Sequence, residues 1–529
     1  MGALLLQTKR HIALIQWQSF RLKIFFEGIL VGLFGGVLVV TFRYLLEKAE
    51  LLREHIYIVL HVNGSWATVL WLIALMLVSV CLGFIAYKVP MAGGSGIPQV
   101  KGIILGHFKM NWLKIIIGKF LGGILAIGSG LSLGREGPSI QLGAMAGQGV
   151  SRLLGRLRVE EKYLITSGAS AGLAAAFNAP LAGVIFALEE LHKNFSPAVL
   201  MSAMAASLTA DLITQQVFGQ KPVFDFRDLA VLPHNYYIYV VGLGVICGFL
   251  GFLFNWTLTK TLDAYKKITW LPKMFMSAPA LILGGILGFV LPEVLGGGNK
   301  LIDSIGQTNY GIAILLIFFA VKFLYTMISY GSGVPGGIFM PMLVIGALAG
   351  AIYGDVLIVY FHIDQKFFSN FIVLAMAAYF TAIVKAPVTG SILITEMTGS
   401  FDHLLALIIA SVTAYVVSDI LKTAPIYDTL LARSLVKKNR NIYSGWDNKT
   451  LIEVAVCLGS KLEGKRIMDI VWPPHCLLIS IKRSEAEIIP RGNTKIIVGD
   501  YLFALANENE SADIKEALSL MAGITQTME

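Results

Sequence analysis

Apolar runs dominate the first four-fifths of the chain and then stop. Nearly uncharged stretches at residues 28–44, 69–87, 236–258 and 404–417 approach or reach the about 20 residues that a helix needs to cross a roughly 30 Å hydrocarbon core. Other apolar segments are shorter and interrupted by glycine and proline at residues 93–98, 134–138 and 331–341. Irregular backbone cannot face lipid, because an unpaired N–H or C=O has no water there to bond. Such breaks survive only inside protein or beside a water-filled cavity. The pattern therefore predicts an all-α polytopic membrane domain over residues 1–436, with broken and re-entrant helices. Residues 1–23 carry Lys9, Arg10, Arg21 and Lys23 without an acid and read as a cytoplasmic amphipathic lead-in helix, not a cleaved signal peptide.

The pattern changes at residue 437. A polar, basic linker over 437–449 is followed by a small cytosolic α/β (α+β) domain over 450–529. Runs at 451–458, 477–482 and 501–506 have the β-branched and aromatic content of strands. Residues 461–470 and 511–521 read as helices, the second opened by a Ser511 cap with Asp513 in its first turn.

Within residues 1–436 the breaks come in pairs. "GGSGIP" at 93–98 is answered by "GSGVP" at 331–335, and "APLAG" at 179–183 by "APVTG" at 386–390. Pro180 to Glu189 and Pro387 to Glu396 are each nine residues apart. The first pair is offset by 237 positions and the second by 207, so order is kept while spacing is not. This predicts two duplicated halves, about 25–217 and 236–436. Duplicated halves with matching Gly/Pro-interrupted segments point to a transporter whose site lies near the membrane midplane.

Composition sharpens this picture. The chain has 529 residues, 56% of them hydrophobic and 14% charged, with a net charge of +9. The excess of basic residues lies wholly in residues 1–436, with 30 Lys+Arg against 21 Asp+Glu, whereas residues 437–529 hold 12 of each. Concentration in short loops fits positive-inside bias, which places both termini in the cytoplasm and argues against nucleic acid as a partner. Cys81, Cys247, Cys457 and Cys476 have no metal or redox spacing.

The candidate chemistry sits at the breaks. Each has the form of a helix start: small residues exposing successive N–H groups, then proline in the first turn. A helix N-terminus carries roughly half a positive charge with free donors, which makes it an anion site. Ser95 adds a hydroxyl, either as an ordinary N-cap or as an anion ligand. Glu136, in "GREGP", is an ionisable group within the membrane and a functional candidate for that reason. Charged, its carboxylate would compete with an anion for the same N–H groups; protonated, it would release them. Glu190 either ends a solvated helix beside Glu189 or has a role of its own, since Glu396 matches Glu189 and not Glu190. Lys119 is either a snorkelling anchor or a distant positive bias on the anion. Arg135 reads as a structural neighbour of Glu136. A potassium filter needs backbone carbonyls, and "TNYG" at 308–311 does not supply them. An intramembrane serine protease built on "GGSG" needs a base, and none of the nine histidines falls within an apolar span. The sequence is not expected to be an enzyme.

These residues resemble the CLC chloride channels and proton-coupled chloride transporters. The family's three signatures stand here as "GSGIP" (Gly94, Ser95, Gly96, Ile97, Pro98), "GREGP" (Gly134, Arg135, Glu136, Gly137, Pro138) and "GGIFMP" (Gly336 to Pro341, in the family pattern GxFxP, which begins at Gly337). The resemblance covers residues 25–435 and is closest to bacterial members. It implies a CLC-type inverted repeat and a homodimer with one pathway per subunit in the cell membrane. The implied ligands are chloride and protons, with no cofactor. It also implies chloride coordination by Ser95, Tyr427 and the backbone N–H groups of Ile338 and Phe339. Glu136 falls on the gating glutamate and Glu190 on the internal proton-transfer glutamate. An acid at that second position favours a chloride/proton exchanger; the alternative is a passive chloride channel of the same family. Serine at position 95 favours chloride over nitrate, where plant members have proline. Residues 451–506 resemble the TrkA-C module of potassium-conductance regulators, which implies dimerisation and a small-molecule effector; some such modules bind cyclic di-AMP.

Overall fold

The interrupted apolar pattern folds as a series of long and short helices in the computed structural model, which describes residues 2–63, 65–193, 195–224, 226, 229–308, 310–436, 449–457, 459–483, 486–507 and 510–523. The chain divides into two units, Met1–Leu431 and Ala432–Glu529. The first half of unit 1 consists of α1 (Gly2–Asn63), α2 (Ser65–Lys88), α3 (Ile97–Ile104), α4 (Trp112–Gly128), α5 (Glu136–Leu153), α6 (Arg158–Phe177), α7 (Pro180–Phe186) and α8 (Pro197–Phe218). The second half repeats this series as α9 (Tyr237–Lys267), α10 (Ala278–Val290), α11 (Asn299–Gln307), α12 (Ile312–Gly331), α13 (Phe339–Phe361), α14 (Phe368–Val384), α15 (Pro387–Thr398) and α16 (Leu404–Ile420). A final helix, α17 (Ile426–Val436), follows. The lead-in segment and the first span are one continuous helix, α1. Among the described residues, eight helices are long and apolar enough to cross a membrane.

The repeat is real, but half of its expected register is wrong. Gly94 does not match Gly331 of "GSGVP"; that segment matches "GSGLSLGREGP" instead, with Gly128 on Gly331 and Pro138 on Pro341, an offset of 203 (331 − 128). The mates of Gly94 (φ +66°) and Gly96 (φ +97°) are Gly296 (φ +63°) and Gly298 (φ +93°). Left-handed backbone at these turns is the shared feature, and only glycine adopts it without strain. Ser95 and Pro98 have no counterparts there. The offset of 207 over Pro180–Glu189 and Pro387–Glu396 stands.

The two halves hold each other. The Glu396 carboxylate accepts from the N–H groups of Leu181 (3.1 Å) and Ala182 (2.7 Å), at the start of α7. Its mate Glu189 accepts from those of Val388 (3.3 Å) and Thr389 (2.7 Å), at the start of α15. Each acid thus satisfies orphan donors of the other half's helix and complements its dipole. Within each half, one crossing is set by glycine. A Cβ on Gly143 of α5 would lie 2.1 Å from the Gly168 carbonyl oxygen of α6, and one on Gly147 would lie 2.1 Å from that of Leu164. Gly350 repeats this on α13, where a Cβ would lie 2.3 Å from the Phe371 carbonyl oxygen of α14. Small residues four apart let backbones touch where lipid supplies no hydrophobic drive.

Unit 2 carries an antiparallel sheet of order β1-β4-β2-β3, made of β1 (Lys449–Ala455), β2 (Cys476–Arg483), β3 (Ala486–Ile488) and β4 (Tyr501–Asn507). One face packs on helix α18 (Ser511–Met521) through Ile452, Val454, Ile481, Leu502, Ala504 and Leu518. Of the helix expected at 461–470 only a single 3-10 turn forms, Ile467–Asp469. Gly464 turns the chain at φ +74°, and Gly464, Ile467 and Met468 donate instead to the carbonyls of Ile496, Thr494 and Gly492. Ser511 is the first residue of α18; its cap is Glu510, without a side-chain cap bond. Asp500, fully buried, receives Arg483 Nε and Nη2 at 2.8 Å each. This pair raises the arginine above its ordinary range and anchors the "GD" turn. Of the expected linker, residues 437–448 lie outside the described residues, and Lys449 already opens β1.

Candidate functional site

The three glycine-rich helix starts meet and are stitched together by backbone hydrogen bonds. Gly134 and Gly337 exchange both bonds, at 2.7 and 2.8 Å. Gly94 N–H donates to Val334 (3.0 Å), and Gly336 N–H donates to Gly94 (3.0 Å). These bonds place the starts of α3, α5 and α13 side by side. Pro98 lies within the first two positions of α3, while Pro138 and Pro341 stand third in α5 and α13, so none of the three removes a ladder bond. Gly137 sits so close to Ser95 that a Cβ there would lie 2.5 Å from Ser95 Oγ. Ile338 and Phe339 are fully buried at the start of α13, with the Phe339 ring packed on Phe177, Phe186 and Phe380.

Among the buried polar atoms without a hydrogen-bond partner in the described residues are Ser95 Oγ and Glu136 Oε2, beside Gly137 and Gly134 of this junction, and Tyr427 Oη at the start of α17. Ser95 is not an ordinary N-cap, since the cap of α3 is Gly96 and no side-chain bond is made there. The Glu136 carboxylate faces its own N–H and that of Met340, and it folds over Gly134, whose Cβ would lie 2.3 Å from Oε2. It thus occupies the junction of α5 and α13. A cavity of about 380 Å³ opens onto it, lined by Glu50, Arg53, Glu54, Arg135, Glu136 and Met340 among others. Buried donors and acceptors left unmatched are uncommon in folded proteins and call for an explanation. Donors from helix starts and hydroxyls, with no fixed positive charge among them, suit a small bare anion.

The supporting residues fall into place around this junction. Lys119 is fully buried, so it does not snorkel. Its ammonium donates to the carbonyls of Ala92 (2.9 Å) and Gly94 (2.6 Å) and pins the turn that delivers Ser95. Its repeat mate Lys322 does the same for Val294 (2.8 Å) and Gly296 (2.9 Å). Arg135 is bound by Glu47 (2.9 Å), which also pairs with Arg43 (3.1 Å). Glu190 does not end a solvated helix. It is 3% exposed on a π-helical turn, Ala187–His192, and pairs with Lys101 at 2.7 Å. Sequence reasoning missed Lys101, Asp428 and Glu47. Lys101 offered a weak signal, being a lone charge between the apolar positions of α3.

Fold and site together define a polytopic membrane protein of duplicated, broken-helix architecture with buried acids at and near a junction of helix N-termini. Residues 76–419 match the family described as Voltage gated chloride channel, and residues 451–519 match the TrkA-C domain. The H(+)/Cl(-) exchange transporter ClcA of Vibrio cholerae is 36% identical over 444 residues, 79% of this chain and 91% of that protein. The Citrobacter koseri transporter of the same description is 34% identical over 439 residues, 80% of this chain and 92% of its own length. The crystal structure of a slow cyanobacterial Cl-/H+ antiporter superposes with a TM-score of 0.74 at 30% identity, covering 79% of this chain and 99% of that one. A CLC-type fluoride/proton antiporter, at 22% identity and a TM-score of 0.64, shares the fold. The chain belongs to the voltage gated chloride channel (CLC) family and carries a C-terminal TrkA-C domain.

Proposed function

We propose that this protein exchanges chloride for protons across the cell membrane, with residues 1–436 as the transport domain. The observation that carries the reading is the position of the Glu136 carboxylate, where the starts of α5 and α13 meet and on the wall of a cavity. Charged, it occupies the place that an anion would take; protonated, it gives that place up. One side chain then links the two ions. Ser95, Tyr427 and the N–H groups of Ile338 and Phe339 are the chloride ligands in this reading. Glu190, buried and acidic, passes protons between the inner side and Glu136. The protein works as a homodimer with both termini in the cytoplasm.

The test is purified protein in liposomes under a chloride gradient with pH recorded. Uphill proton movement is expected, and its absence would identify a passive channel. In the same assay Glu190→Val retains chloride transport while proton movement falls to background; loss of both would mean that Glu190 is structural. Ser95→Pro shifts preference towards nitrate, read as the concentration of nitrate that halves chloride flux.

We further propose that residues 450–529 regulate transport through a small-molecule, nucleotide-type effector. Deleting residues 445–529 is expected to leave the exchange stoichiometry intact and to abolish any response of its rate to cyclic dinucleotides. An unchanged rate and response would overturn this role.

A further inference from the structure

Glu190 is the end of a chain of alternating charges. Lys193 pairs with Asp428 at 2.9 Å, Asp428 pairs with Lys101, and Lys101 pairs with Glu190 at 2.7 Å. Side-chain exposure falls along it, from 53% at Lys193 and 23% at Asp428 to 2% at Lys101 and 4% at Glu190. A series of ion pairs therefore connects the buried end to the accessible one. Lys101 stands in α3 among the buried residues Val100, Ile103 and Ile104, and α3 packs against the turn that holds Glu190. Asp428 follows Tyr427 directly on α17.

A buried ammonium cannot lose its only counter-charge without a large penalty. If Glu190 were its sole partner, protonating Glu190 would strand Lys101, and the carboxylate would resist the proton. Asp428 removes that obstacle, because Lys101 keeps a carboxylate whichever state Glu190 is in. The charges facing Glu190 are Lys101 from α3, Asp428 from α17 and Lys193 from just beyond its own turn. His192 on that turn is hydrogen-bonded to Thr166 of α6.

We propose that Lys101 is a counter-ion shared between Glu190 and Asp428, and that its partition between the two carboxylates sets how readily Glu190 exchanges a proton with the inner side. The proposal rests on the chloride/proton exchange reading. It makes Lys101 and Asp428 positioning residues for proton transfer. It also puts a chloride ligand, Tyr427, and the proton acceptor's competing acid on consecutive residues of one helix.

The full-length chain and its Asp428→Asn, Lys101→Met and Lys101→Arg variants, reconstituted in liposomes, are compared for proton and chloride movement over a pH series. Asp428→Asn leaves Lys101 to Glu190 alone, so the pH at which proton transport is half-maximal falls by about one unit. Lys101→Met removes the positive charge and raises that pH by about one unit. Lys101→Arg keeps the charge and the wild-type profile. Opposite shifts from the two ends of one ion pair are the signature, since structural damage would not reverse sign. Profiles that stay in place, or move in the same direction, overturn the proposal while leaving exchange intact. If Lys101→Met does not fold, Asp428→Asn decides, and an unmoved profile overturns it. A wild-type protein that moves no protons removes the exchange reading and this inference with it.

Discussion

Glu136→Gln is expected to abolish proton movement altogether while chloride still crosses. The argument is one of charge and shape. Glutamine keeps the size of the side chain that folds over Gly134 toward the Met340 N–H. It cannot titrate, and as a neutral group it no longer competes with an anion for the N–H donors of α5 and α13 by charge. The carboxyl that would carry the proton through the junction is then gone, and with it the link between the two fluxes. In liposomes under a chloride gradient, the external pH trace of the variant should be indistinguishable from that of protein-free vesicles. Stoichiometric proton movement in Glu136→Gln would refute the mechanism. Arg135 provides a contrast. Its guanidinium is held by Glu47, so Arg135→Met is expected to change rates without uncoupling the ions.

The second large effect is on folding. Gly143→Val would place a Cβ about where the Gly168 carbonyl oxygen and the Gly172 backbone already stand, at 2.1 and 3.0 Å. Both obstacles are backbone, so no rotamer change relieves them; α5 and α6 must separate. Overpacking in a well-packed core costs about 1–3 kcal/mol and sometimes more. Here it also displaces Glu136, which begins the same helix. The expected result is no monodisperse protein on size-exclusion chromatography in detergent. Gly311→Ala is the control: Gly311 has φ −64° and open space where a Cβ would go, so that variant should elute and melt like the parent.

Motif spacing carried the sequence reading a long way. The breaks at Gly94–Pro98, Gly134–Pro138 and Gly336–Pro341 announced themselves because Gly and Pro inside apolar runs have few uses in a membrane. Ser95, Glu136 and Tyr427 each carry a buried side-chain oxygen without a hydrogen-bond partner among the described residues. The repeat was half legible. Three "GSG" strings, at 94–96, 128–130 and 331–333, left two pairings open by residue identity; the fold pairs the last two and matches Gly94 to Gly296, which share a backbone conformation but not their neighbours. The role of Lys119 was hidden for a different reason. A lone lysine in an apolar run can reach for water or for carbonyls, and only the fold shows the turn at Ala92–Gly94 beneath it. Lys101 and Asp428 stand 327 positions apart in sequence, so nothing local brings them together. The helix expected at 461–470 shows the same limit on a smaller scale, since its backbone donors are claimed by residues 492–496 of the neighbouring loop.

The crossed acids, Glu189 at the start of α15 and Glu396 at the start of α7, bear on how such a molecule is inherited and assembled. Each half completes a helix that belongs to the other. A lone half would leave one carboxylate without these partners and two N–H groups at a helix start without an acceptor. A duplication that settles into this exchange makes each copy depend on the other, and in the nascent chain the contact of Glu396 with α7 forms only once the second half has been made.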